Sequence, residues 1–295
     1  MPGGAPIAEA ARPVPLFVLG TARSGTTWLA NLLVSHPRIV GLTAPDHHGI
    51  HESHLLDHTR YALPGRMTCG EFVSRYSAED YYALAKVEAG ELCAAAPERG
   101  DAITFFSALM DLIAARAGAR YWLEKTPKHV IYFETLLGRF PTARFVLIER
   151  GFERTLASQL AMFGRTESGP ARRLAEKVFR YESDRRSLHA LARRAPERVI
   201  RVAYERLVAD TPGESSRLLR WLGLDDEPLQ SAFAPASSFA GGDRGPPPMA
   251  LGLRVAAGLL RLAFDVVPLS LERRLRSRHD RRAATALPLF PRRAR

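Results

Sequence analysis

Residues 15–36 confine this chain to a small set of architectures. PLFVLG (15–20) is a short apolar run ending in glycine, as a buried parallel strand would be. TTWLANLLVSH (26–36) then places apolar residues at helical spacing and is closed by Pro37. Between them lies the turn Gly20-Thr21-Ala22-Arg23-Ser24-Gly25. Strand-like runs recur at RIVGLT (38–43), YWLEK (121–125), RFVLIE (144–149) and RVIRVAY (198–204). Helical patterns fill much of 70–117 and return near 128–138, 153–163, 170–194 and 213–223. This alternation predicts one α/β domain over residues 14–240, a parallel sheet of P-loop nucleotide-binding type flanked by helices, with right-handed crossovers. Ligands of such sheets sit outside the carboxyl ends of the strands. Three motifs fall there: the turn after Gly20, the segment Glu124–Pro127, and Arg150.

At 295 residues with 46% hydrophobic and 25% charged residues, wholly disordered, collagen-like and transmembrane classes are disfavoured. Cys69 and Cys93 are too few for a disulfide scaffold or a four-cysteine zinc site. They are expected as buried free thiols. No charged-then-apolar leader precedes Pro15, so the expectation is a cytoplasmic protein in a reducing compartment.

The net charge of +11 is unevenly placed: residues 250–295 hold eleven Arg against Asp265, Glu272 and Asp280, a net +8. GGDRGPPP (241–248) reads as a linker to a separate basic, amphipathic C-terminal segment, 249–295. Arg254, Arg261 and Asp265 interrupt its apolar stretch at spacings of seven and four, on one helical face. The expectation is contact with an anionic membrane surface, the competing arrangement being a helix packed on the core. Nucleic acid is not an expected partner, because the tail lacks interleaved aromatics and a recognised motif.

The 20–27 turn has the strand–loop–helix setting of an anion cradle, in which backbone N–H groups and the helix start face the ligand. The nucleotide-hydrolase pattern needs Lys before Ser or Thr, and Thr26 stands where that Lys belongs. The positive charge has moved to Arg23 within the loop. A plain glycine turn is the simpler alternative. Only four lysines occur among 42 cations, Lys86, Lys125, Lys128 and Lys177, which singles out Lys125 at a strand end. Its plain alternative is a surface lysine, and for Arg150 a strand-end ion pair with Glu149.

FVLGTARSGTTWLANLLVSHP resembles the 5′-phosphosulfate loop of sulfotransferases that use 3′-phosphoadenosine 5′-phosphosulfate (PAPS), in the style of bacterial and tyrosylprotein-type members. WLEKTPKHV (122–130), FPTARFVLIERGFERTLASQL (140–160) and VAYERLVADTPGE (202–214) are similar to further segments of that family in the expected order, so the resemblance spans about residues 15–225. It implies PAPS as co-substrate, no metal, and a hydroxyl-bearing acceptor: a carbohydrate, a glycolipid or another small molecule. It implies that Arg23, Ser24, Gly25, Thr26 and Thr27 hold the 5′-side. Arg150 and Ser158 would grip the 3′-phosphate. Tyr204 would pack near the base, unless it is a core tyrosine.

Without a metal, Arg23 and Lys125 must stabilise the leaving phosphate. The acceptor hydroxyl needs a base, and 44–66 is a polar, histidine-dense loop. Glu52 is the first candidate there and His51 the second. Two departures from the family stand out. Arg150-Gly151-Phe152-Glu153-Arg154 replaces the usual Arg-Asp-Pro-Arg, and no Arg-Lys-Gly loop is evident near the C-terminus. His51-Glu52-Ser53-His54 is not HExxH, although His54 and His58 keep an i, i+4 spacing; no GxSxG elbow is present. The rival readings are an atypical P-loop kinase and a non-catalytic nucleotide-binding peripheral membrane protein.

Overall fold

The computed structural model describes residues 12–44, 48–56, 65–76, 80–162, 169–232, 249–268 and 271. The chain opens with β1 (Val14–Gly20) and α1 (Thr26–Leu33), followed by four two-residue strands, β2 (Ile39–Val40), β3 (Thr43–Ala44), β4 (Gly49–Ile50) and β5 (Met67–Thr68). Three short helices follow, α2 (Cys69–Tyr76), α3 (Asp80–Ala85) and α4 (Ala89–Ala95), then β6 (Arg99–Gly100) and α5 (Ala102–Arg116). The second half runs β7 (Tyr121–Glu124), α6 (Phe133–Arg139), β8 (Arg144–Glu149), α7 (Phe152–Met162), α8 (Pro170–Arg194), β9 (Val199–Ala203), α9 (Tyr204–Ala209) and α10 (Thr211–Leu222). Helix α11 (Leu251–Asp265) ends the described elements.

Five strands form one parallel sheet in the order β2-β7-β1-β8-β9. β1 is central; the chain leaves it toward β2 on one side, and leaves its neighbour β7 toward β8 on the other. The direction of connection therefore reverses between β7 and β1, the place at whose carboxyl ends such sheets hold ligands in a crevice. Alternation along β1 splits the core into two layers. Phe17 and Leu19 face α5 and α8 through Trp122, Phe145, Phe105, Phe106 and Leu188. Leu16 and Val18 face α1 and α10 through Leu29, Leu33, Val146, Ile148 and Leu218. Because both faces are covered, β1, β7 and β8 are buried along nearly their whole length, whereas edge strand β9 alternates and exposes Arg201.

Three local expectations are corrected. RIVGLT contributes only Ile39 and Val40 to the sheet, because the chain then turns away and Thr43 and Ala44 pair with Gly49 and Ile50 in a separate two-stranded ribbon. The helix expected near 128–138 begins as a 3-10 turn over Pro127–Tyr132 before α6. Cys69 and Cys93 are not free thiols: they are joined in a disulfide, their Cα atoms 5.4 Å apart. Their separation of 24 residues hid the pairing, which follows from α2 packing against α4. The cysteines thus supply no argument for a reducing compartment.

Residues 241–248, where a linker is expected, and residues 272–295 lie outside the described residues. Helix α11 takes the packed arrangement, lying on α8 with Ala257 and Phe264 buried. Its charged side faces the protein: Arg254 pairs with Glu153, and Arg261 with Glu182, which has no exposure.

Candidate active site at the carboxyl edge of the sheet

The loop between β1 and α1 is shaped by contacts that exclude a side chain at two positions. A Cβ on Gly20 would lie 2.7 Å from the Ile148 carbonyl oxygen and 2.6 Å from Ser24 Oγ. Gly25 adopts φ 99°, and a Cβ there would lie 2.4 Å from the Tyr204 ring. Arg23 holds φ 72°, a left-handed conformation that an L side chain keeps only where its surroundings impose it. The Ala22 carbonyl accepts from Gln159 Nε2 at 2.8 Å, and Ser24 N–H donates to the Thr21 carbonyl at 3.1 Å, so both limbs of the loop are pinned. Helix α1 then starts with its first-turn N–H groups directed at the crevice. Ser24 is fully buried, yet its Oγ has no partner among the described residues.

Arg23 and Arg150 approach each other over this loop. Arg23 Nε donates to Ser158 Oγ at 3.2 Å, and Arg150 Nη1 reaches the Arg23 carbonyl at 3.4 Å. The Arg150 guanidinium lies 4.4 Å from the centre of the Tyr204 ring, and its buried Nε lacks a partner among the described residues. Burial, and then the Arg150 charge, hold Arg23 below its ordinary value, with Tyr204 acting the other way. Two adjacent guanidiniums, one with an orphaned donor, beside a buried hydroxyl without a partner, form a site that an anion would complete. The residues present therefore fit a nucleotide carrying phosphate groups. Tyr204 is buried beneath the loop, edge-on to Trp28 at 6.2 Å, and supports Gly25 and Arg150 from below.

Across the crevice, β7 ends in a buried carboxylate that organises a second loop. Glu124 Oε1 accepts from Ser53 Oγ at 2.7 Å and Thr126 Oγ1 at 2.5 Å, and Oε2 lies 3.0 Å from His129 Nδ1. Leu56 N–H donates to His129 Nε2 at 3.2 Å, which assigns the imidazole proton to Nδ1. Burial opposes charge on Glu124, but His129, Thr126 and Ser53 outweigh it and hold the carboxyl at about 2. Segment 51–56 is thereby fastened to β7. Its entry is clamped from α1: Asn31 Nδ2 donates to the His48 carbonyl and Asn31 Oδ1 accepts from Ile50 N–H, both at 2.8 Å.

This clamp places Glu52 against Lys125. Lys125 is 2% exposed, and its Nζ lies 2.7 Å from Glu52 Oε1 and 3.2 Å from Thr27 Oγ1. One ammonium thus joins segment 51–56 to the first turn of α1. Burial would raise the Glu52 carboxyl, but the charges of Lys125 and His54, with the Lys125 hydrogen bond, bring it below its ordinary value. His54 Nε2 stands 3.5 Å from Glu52 Oε2. His51 is turned elsewhere: its Nδ1 is 3.0 Å from the Glu52 carbonyl oxygen, and its ring packs 5.8 Å from Tyr81.

The structure thus brings Arg23, Ser24, Gly25, Thr26, Thr27, Lys125 and Glu52 to one crevice, with Arg150 and Ser158 at one end. Sequence reasoning missed Asn31, Glu124, His129 and Gln159, whose partners are distant in the chain. His58 lies outside the described residues, and no cluster suited to a metal ion occurs among the described ones.

The Glu124 network is open to a stability test. An unfolded Glu titrates near 4.5 and this one near 2, so its stabilisation is present above about 4.5 and lost as pH falls toward 2. Glu124→Gln is expected to lose about 3 kcal/mol at neutral pH. Urea midpoints should show the gap from the parent protein narrowing on acidification.

The family described as the sulfotransferase family matches residues 15–228. A search of curated proteins finds no match. Among solved structures, the sulfotransferase domain from the curacin biosynthetic pathway aligns with a TM-score of 0.50 at 18% identity, covering 84% of this chain and 97% of that one. A sulfotransferase from Mycobacterium avium aligns with a TM-score of 0.50 at 17% identity, covering 86% and 77%. At these identities the likeness concerns the fold.

Proposed function

The chain belongs to the sulfotransferase family, and from that premise we propose that it moves the sulfuryl group of PAPS to a hydroxyl of a carbohydrate, glycolipid or other small acceptor. The observation that carries this reading is Lys125, whose ammonium touches both Thr27 of the anion loop and the Glu52 carboxylate. A sulfuryl transfer needs two groups on opposite sides of the sulfur. One takes a proton from the attacking oxygen, and the other neutralises charge on the departing one.

Glu52 fills the first role: it accepts the acceptor's hydroxyl proton as that oxygen bonds to sulfur. The bond from sulfur to the 5′-phosphate oxygen breaks, and its electron pair stays on the phosphate. Lys125, Arg23 and the N–H groups at the start of α1 receive that charge, with Thr26 and Thr27 adding hydroxyl donors. Arg150 and Ser158 bind the 3′-phosphate of the donor and of the product, 3′-phosphoadenosine 5′-phosphate. A kinase reading is disfavoured because Thr26 occupies the position of the lysine that reaches the outer phosphates.

Calorimetry with 3′-phosphoadenosine 5′-phosphate, ADP and ATP, with and without magnesium, tests the reading. Preference for the 3′-phosphorylated nucleotide, independent of magnesium, is expected; magnesium-dependent preference for ATP would overturn it. Arg150→Ala should weaken the 3′-phosphorylated ligand by about 1.5–3 kcal/mol through loss of a charge-assisted contact. Its effect on the 3′-dephospho analogue should be much smaller. Equal losses for both ligands would mean that Arg150 supports the loop and not the 3′-phosphate.

A further inference from the structure

Helix α11 is amphipathic in an unusual sense: its charged side faces the protein and an aliphatic side faces out. Arg254 pairs with Glu153 at 3.0 Å. Arg261 pairs with buried Glu182 at 2.6 Å, its guanidinium 4.9 Å from the Phe152 ring centre. Arg186 donates to the carbonyls of Phe264 and Val267 at 2.6 and 2.7 Å, which fixes the helix end. Phe264 is edge-on to Phe179 at 5.2 Å. These contacts hold α11 in one rotation about its axis.

In that rotation Leu251, Val255, Leu259, Leu262 and Val266 point away from the protein, with exposures of 74, 55, 64, 67 and 83%. At 100° per residue they fall within an arc of about 80°, a continuous ridge without a charged side chain. Water contact along such a ridge is unfavourable in proportion to the apolar surface exposed. An exposed apolar ridge of this kind is the usual mark of a docking surface.

The sequence beyond the helix says which surface. Residues 272–295 carry nine Arg against Glu272 and Asp280, a net +7. A second copy of the chain, with its own net charge of +11, offers these cations no complementary anionic surface. An anionic lipid surface accepts both features at once: aliphatic side chains enter the headgroup boundary while the cations meet lipid phosphates. No helix among the described residues is long and apolar enough to cross a membrane, and α11, at about 22 Å, suits lying in the interface plane. The geometry points to the outward ridge of α11, with the basic tail behind it, as a docking surface for anionic membrane. This docking is independent of the sulfuryl-transfer reading.

The test uses the full chain in sedimentation with vesicles of phosphatidylcholine alone, or phosphatidylcholine with phosphatidylserine. Binding to the mixed vesicles is expected, weakening as salt rises, with little binding to phosphatidylcholine alone. Leu259→Glu combined with Leu262→Glu should reduce that binding on the order of tenfold or more. Because both positions are exposed, the melting temperature and nucleotide affinity should not change. Equal binding by the parent and the double variant would overturn the ridge's role. Equal binding to both vesicle types would overturn the part given to the tail. A dimer in sedimentation velocity that the double substitution dissolves, without vesicle binding, would assign the ridge to a second copy instead.

Discussion

Lys125→Ala is expected to lower kcat by about a hundred- to a thousandfold, the usual effect of removing one preorganised donor from developing negative charge. Affinity for 3′-phosphoadenosine 5′-phosphate should change little, because Arg23, Arg150 and the loop N–H groups remain. The same substitution removes the charge that counters burial at Glu52. The Glu52 carboxyl should then rise, and the acidic limb of the residual pH–rate profile should move to higher pH. A lysine that only braced the fold would lower the melting temperature and leave the single-turnover rate above that limb close to the parent protein's. Lys125→Arg restores charge but not the compact ammonium that fits between Thr27 and Glu52, so partial recovery of kcat is expected. Single-turnover rates and pH profiles of the two variants settle the assignment.

The legible parts of this fold are those whose cause is local. β1 announces itself because both sheet faces are covered, so PLFVLG is apolar throughout. The start of α1 is marked by glycines that the structure requires, Gly20 beside the Ile148 carbonyl and Gly25 above the Tyr204 ring. Helix α8 was readable over its full length, 170–194, because Pro170 opens it and apolar residues recur at helical spacing. Strand β2 was overestimated, since an apolar run does not reveal how many of its residues find a partner.

What stayed hidden depends on contacts between distant residues. Asn31 lies in an apolar helix pattern and gives no sign that it clamps the chain at residues 48–50. Glu124 reads as no more than the neighbour of Lys125, whereas it holds Ser53 from 71 residues away and so fixes where Glu52 stands. The Cys69–Cys93 bond required α2 and α4 to meet. A spacing of seven puts Arg254 and Arg261 on one side of α11, but the direction of that side is set by Glu153 and Glu182, on other helices. Spacing reveals which residues share a face, and only tertiary partners decide where that face points.

Glu52→Gln is expected to suppress kcat by about two to four orders of magnitude, the range for loss of a positioned general base. The pH dependence makes this assignment specific. In the free protein the Glu52 carboxyl sits below its ordinary 4.5, held there against burial by Lys125 and His54. It is therefore ionised throughout the neutral range, and kcat/KM should fall only when pH drops below the usual carboxylate value. A carboxylate held this way is also a weak base while Lys125 stays bound to it. When PAPS occupies the crevice, the phosphate oxygen that departs from sulfur competes for the Lys125 ammonium, and Glu52 regains basicity as that pairing loosens. The acidic limb of kcat, which reports the complex, should consequently lie at higher pH than that of kcat/KM, which reports the free protein. Glu52→Gln should abolish both limbs. If the Gln variant keeps most of its turnover with a limb in the histidine range, while His51→Ala loses activity, the proton goes to His51 and the 2.7 Å pair of Lys125 with Glu52 serves only to position the lysine.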